Sequence, residues 1–172
     1  MEIRKILFPV DLAGSSSKIV SRVLYMAQKF DAEVHLLSVA GSLEQYSTFY
    51  VPHPSLDRYE QEDTARAERL LREFAEEHFG DFPRLKISVL SGKPVEQIIN
   101  YVDSAGIDMI MMTTHGRHGL ERALFGSMAE EIMRSSSVPV MCFNHAVEEE
   151  KWKEAGLAAA VRTAAPEAHA GR

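Results

Sequence analysis

The sequence is short of cysteine, of positive charge and of long apolar runs, and each shortage removes a class of protein. One cysteine in 172 residues, Cys142, excludes a disulfide framework and fits a reducing compartment. It sits in an apolar run, so a small buried hydrophobe is its expected role rather than a redox centre. No apolar run reaches membrane-spanning length and no leader pattern is present, so neither membrane insertion nor export is expected, and a cytoplasmic location is. Lys and Arg number 19 against 25 Asp and Glu, a net charge of −6 with no basic patch, which argues against nucleic acid as a partner. Two phosphate-binding signatures are also missing: there is no G-x-x-x-x-G-K-[ST], and no G-x-G-x-x-G follows the first strand. His115 and His118 flank Gly116, but no third ligand is visible near them, so no metal site is expected.

What is present is an ordinary globular composition, 45% apolar and 26% charged, on a chain long enough for one domain with a proper core. Apolar runs at Lys5–Val10, Val34–Val39, Leu85–Leu90, Ile107–Met112 and Val138–Phe143 read as strands. Between them, helical spacing predicts helices over Ser16–Phe30, Ser55–His78, Pro94–Ala105 and Ser127–Arg134. Ser15 to Ser17 offer an N-cap for the first helix, and Ala65, Leu70, Leu71, Phe74 and Ala75 form the apolar side of the second. Gly106 is a plausible C-cap, and Pro139 suggests an edge position or a strand start. Ser42 to Leu56 is a long loop with Tyr46, Phe49 and Tyr50, either a lid or a cover over the domain edge. The domain is expected to span 1–145. A helical or partly disordered tail, 146–172, follows, with Trp152 as its one strong anchor.

This alternation implies an α/β fold: one doubly wound, five-stranded parallel sheet with helices on both faces. With the first and fourth strands as central neighbours, the strand order is 3-2-1-4-5. Ligands in such sheets bind beyond the carboxyl ends of the strands, at the switch point. That brings Pro9, Val10 and Asp11 beside Met112, Thr113 and the glycine-bearing loop that ends in Gly126, Ser127 and Met128. Gly116 and Gly126 let a ligand approach the main chain closely, and the first amides of the helix behind Ser127 lack intrahelical partners. A phosphate suits that end, and the base would lie near Asp11 and Val39. Spacing alone serves equally well for a turn with a capped helix and nothing bound. His115 and Arg117 can reach a phosphate or can be solvated loop residues.

At these residues the chain resembles the universal stress protein family. Three stretches carry the resemblance: Ile6 to Asp11, Val34 to Val39, and Thr114 to Glu130 leading to Val138–Met141. The ATP-binding branch of that family has the pattern G-x2-G-x9-G-[ST]. Gly116, Gly126 and Ser127 match its second glycine, third glycine and hydroxyl, while Thr113 holds the place of the first glycine and Gly119 is an extra glycine in the loop. The resemblance implies that Asp11 and Val39 contact adenine and that Met112 and Thr113 border the ribose and phosphates. It implies ATP as the ligand, with Mg²⁺ or Mn²⁺ reaching the site through the phosphates, and a homodimer through Val138 to Phe143. The threonine adds Cβ and Cγ atoms above the phosphates, although its hydroxyl can hydrogen-bond to one. No catalytic base is evident, so the expected role is regulatory, with slow ATP hydrolysis at most. The alternative is a family member that binds no nucleotide and acts as a protein-interaction or chaperone-like module on an unknown protein partner. Thr113, the aromatic loop and the Trp152 tail fit that alternative.

Overall fold

The computed structural model describes residues 2–12, 16–41, 54–114 and 127–143. Strands β1 (Lys5–Pro9), β2 (Glu33–Ala40), β3 (Leu85–Ser91), β4 (Met109–Thr113) and β5 (Val140–Phe143) form one sheet. They are parallel, as the alternating sequence pattern implies, and stand in the order β3-β2-β1-β4-β5 expected with the first and fourth strands as central neighbours. Four helices complete the described fold: α1 (Val20–Phe30), α2 (Pro54–Phe79), α3 (Pro94–Ala105) and α4 (Ser127–Ser135). The loop 42–53, residues 115–126 and the tail from 144 lie outside the described residues.

Successive strand residues point to opposite faces, and each face buries its own cluster. Ile6, Phe8, Val34, Leu36, Met109 and Met111 pack on one side against Val20, Val23 and Ala27 of α1 and Leu71, Ala75 and Phe79 of α2. Phe8 meets the rings of Phe74 and Phe79, each at a centroid distance of 6.4 Å. Leu7, Leu37, Ile110 and Met112 pack on the other side against Ile98 and Val102 of α3 and Ala129 and Ile132 of α4. Both faces are therefore covered, which is why the strands read as near-continuous apolar runs rather than as alternations.

The amino-terminal edge of the sheet is pinned by side chains. The Asp108 carboxylate accepts hydrogen bonds from the Arg4 and Lys5 amides at 2.8 and 2.9 Å. Lys5 Nζ donates to the Ala105 carbonyl at 2.7 Å, at the end of α3. Gly106 closes α3 in the left-handed region, φ 64°, where a Cβ would be strained. Asp31 closes α1 in the same conformation at φ 55°, and its carboxylate pairs with Arg84.

Three local expectations are corrected. Ser16–Ile19 is a 3-10 turn, and α1 begins only at Val20 with no side-chain cap. In α2, Ala65 is exposed, and Ala67 lies on the covered side instead. The last strand starts at Val140 rather than Val138, because Pro139 has no amide for the ladder. Its carbonyl still accepts from Ile110 N at 2.9 Å.

A buried polar chain lies between β2, β3 and α3. His35, only 1% exposed, has Nδ1 3.0 Å from Tyr101 Oη, which is 3.1 Å from Ser88 Oγ. His35 Nε2 lies 3.1 Å from Glu33 Oε1, and Lys86 Nζ lies 2.9 Å from the same oxygen. Burial holds the imidazole below its ordinary pKa of 6.5, against the opposite pull of Glu33. Above pH 6.5 both folded and unfolded chains carry neutral His35, and the full stability is present. As pH falls below 6.5, the unfolded chain takes up a proton that the folded one refuses, so stability declines until the lower folded pKa is passed. Glu33, held below its ordinary 4.5 chiefly by Lys86, titrates in a more acidic window. Urea unfolding at stepped pH should therefore show stability falling as pH drops below 6.5. In His35→Gln that slope should flatten; an unchanged slope would remove His35 as its source.

Candidate functional site

The site begins where the two central strands part. Val10 donates its amide to Leu37 of β2 at 2.8 Å, so the alternate residues of β1 face β4, as Lys5 does in accepting from Asp108 N at 3.0 Å. Pro9 stands on that β4-facing alternation and has no amide to give. The pairing follows this: β1 and β2 stay in register from Lys5 to Pro9, whereas β1 and β4 are in register only at Ile6 and Leu7. Beyond Leu7 a crevice opens between β1 and β4, at the switch point of the doubly wound sheet.

The chain leaving β1 is held at the rim by Ser16. Its Oγ accepts from Asp11 N at 2.9 Å, and Ser16 is itself 2% exposed. The serine expected to cap a helix is therefore used to fix the main chain at Asp11. On the far side, Thr113 is in register with Phe143, and Thr114 donates its amide to the Phe143 carbonyl at 3.0 Å. Gly92 N donates to Ala40 O at 3.1 Å, which ties the end of β2 to the turn entering α3.

These edges enclose a cleft of about 610 Å³, within the usual range for small-molecule sites. Its walls come from the carboxyl ends of β1, β2 and β4, the amino-terminal turns of α3 and α4, and the middle of α2 from Asp63 to Leu70. Two of the large apolar side chains left exposed, Leu70 and Met128, lie in these walls. The charged groups among the described lining residues are Asp11, Asp63 and Arg66.

Seven of the residues singled out from the sequence line this one cleft: Pro9, Val10, Asp11, Val39, Met112, Thr113 and Met128. Ser127 is the first residue of α4, whose Met128 and Ala129 line the wall. His115, Gly116, Arg117, Gly119 and Gly126 lie outside the described residues. Sequence reasoning missed the contribution of α2: Asp63, Arg66, Ala67 and Leu70. The signal was present in the helix register, since Asp63–Ala67–Leu71–Ala75 and Arg66–Leu70–Phe74 are rows of residues four apart. Extending either core row toward the amino end reaches the cleft.

The universal stress protein family model matches residues 2–144 of the chain. A universal stress protein of Methanocaldococcus jannaschii is 30% identical over 144 residues, covering 80% of each chain. Among solved structures, a universal stress protein from Lactobacillus plantarum superposes with a TM-score of 0.71 at 22% identity, covering 84% of this chain and 99% of the other. A universal stress protein family protein of Arabidopsis thaliana, solved with AMP bound, superposes with a TM-score of 0.57 at 17% identity, covering 82% and 91%.

Ser16→Ala tests the hold on Asp11. Removing the acceptor leaves a partly buried amide without its partner, at a cost of about 1 kcal/mol in unfolding measurements. Hydrogen exchange at the Asp11 amide should accelerate; exchange at the wild-type rate would show that Ser16 does not hold it.

Proposed function

Because the chain belongs to the universal stress protein family, we propose that it is a cytoplasmic stress-response or regulatory protein that binds an adenine nucleotide, ATP in the cell, in the cleft between β1 and β4. The observation that carries this reading is the cleft itself, which opens at the switch point with room for a nucleotide and an apolar wall for a base. The AMP bound in the Arabidopsis relative supports it. The base would lie near Asp11 and Val39, over the backbone of Pro9 and Val10. Met112 and Thr113 would border the ribose. The phosphates would meet Gly116, Gly126 and Ser127, where the amides at the start of α4 lack intrahelical partners. His115, Arg117, Gly119 and Met128 would complete that end. Mg²⁺ or Mn²⁺ would arrive with the phosphates and neutralise part of their charge.

Binding would bias a loop or a dimer state through its differential affinity, rather than drive a dedicated reaction. The dimer would form through β5, an edge strand of the sheet whose outer side is unpaired among the described residues. The nucleotide-binding domain would end near residue 145, leaving 146–172 as an appended tail.

Calorimetry with ATP and Mg²⁺ tests this reading. Wild type should bind with micromolar affinity, Gly126→Val should abolish binding, and Thr113→Gly should bind at least as tightly as wild type. Absence of binding in wild type, with recovery in Thr113→Gly, would mean that the threonine closes the site and that the protein acts through its surfaces.

A further inference from the structure

Helix α2 is longer than the sheet it covers. Its 26 residues span about 39 Å at 1.5 Å per residue, while the eight residues of β2 span about 26 Å. The carboxyl-terminal half of the helix packs on the sheet through Leu71, Phe74, Ala75 and Phe79. Toward the amino terminus the same two rows of residues turn from apolar to charged, with Asp63 and Arg66 lining the cleft. Both side chains are exposed, and among the described residues neither is engaged in an ion pair. Arg66 is the one cation among the described lining residues.

We propose that Asp63 and Arg66 read the edge of the base, resting on the reading of this cleft as an adenine-nucleotide site. The position favours the base over the phosphates, because α2 packs on β2 and β3, the side of the cleft that holds Val39. The phosphate end lies across the cleft at β4 and α4. The chemistry fits as well. A carboxylate only accepts hydrogen bonds and a guanidinium only donates them. Adenine offers an amino donor beside a ring-nitrogen acceptor along one edge. Asp63 takes the exocyclic amino group and Arg66 donates to the neighbouring ring nitrogen. A base with an oxo group in place of that amine sets its oxygen against the carboxylate, so the pair selects adenine over hypoxanthine.

Binding of AMP, adenosine and inosine monophosphate to wild type, Arg66→Ala and Asp63→Asn tests this. Both positions are exposed and outside the core, so the melting temperature serves as the control for folding. Wild type should prefer AMP over inosine monophosphate. Arg66→Ala should weaken AMP and adenosine by the same factor, on the order of tenfold, and Asp63→Asn should bring the preference toward one. A loss confined to AMP would assign Arg66 to the phosphate and overturn the proposal, as would wild-type affinities and an unchanged preference in both variants. If wild type binds none of the three ligands, the nucleotide reading fails and this proposal fails with it. If wild type binds and the variants match it, only the base-reading role fails.

Discussion

Pro9 occupies the carboxyl end of the central strand with no amide on the side that faces β4, and the two central strands lose their register just before it. A residue with an N–H there would let the ladder between β1 and β4 run further toward the strand ends. That would narrow the crevice the rest of the site is built around. The opposite face of the same turn is kept tight: Val10 bonds to Leu37, and Asp11 N bonds to Ser16 Oγ. One side of the β1 end is thus held and the other released. Helices cover both faces of the sheet on either side of this crevice.

The cleft is more than the ends of two strands. Helix α2 adds a wall that carries Asp63, Arg66, Ala67 and Leu70. Its two inward rows serve two purposes along one element: apolar where they meet Phe8 and the sheet, and joined by the charges of Asp63 and Arg66 where they meet the cleft. The buried network around His35 is of a different kind. It lies on β2 two residues into the strand, on the α3 face, away from the carboxyl ends where the cleft opens. Its polar atoms fix how β2, β3 and α3 pack.

Much of this is legible in the amino-acid sequence itself. Apolar runs separated by helical spacing pointed to the parallel sheet and both covered faces, and taking the first and fourth strands as central neighbours added its order. Gly106 and Pro139 marked a helix end and a strand start because each has one dominant backbone property. Pro9 was visible as a residue, but which neighbour its missing amide faced depended on register, which the pattern of side chains does not contain. Ser16 was read as a cap, since serine at a helix start usually is one; tertiary contact with Asp11 N took its oxygen instead. Asp63 and Arg66 stand on the same four-apart rows as Leu71 and Phe74, so their facing was present in the sequence. That these rows reach the cleft depended on how α2 lies against the strand ends, which is a tertiary quantity.

The most direct test of the central claim is a two-dimensional ¹H–¹⁵N spectrum recorded as AMP is added to the protein. The account predicts amide shifts clustered at the strand ends, at Val10, Asp11, Val39, Gly41 and Thr113, and reaching Arg66 on α2, with His35, Lys86 and Tyr101 unmoved. Shifts confined to β5, or centred on the His35 network, or absent at saturating nucleotide, would contradict it.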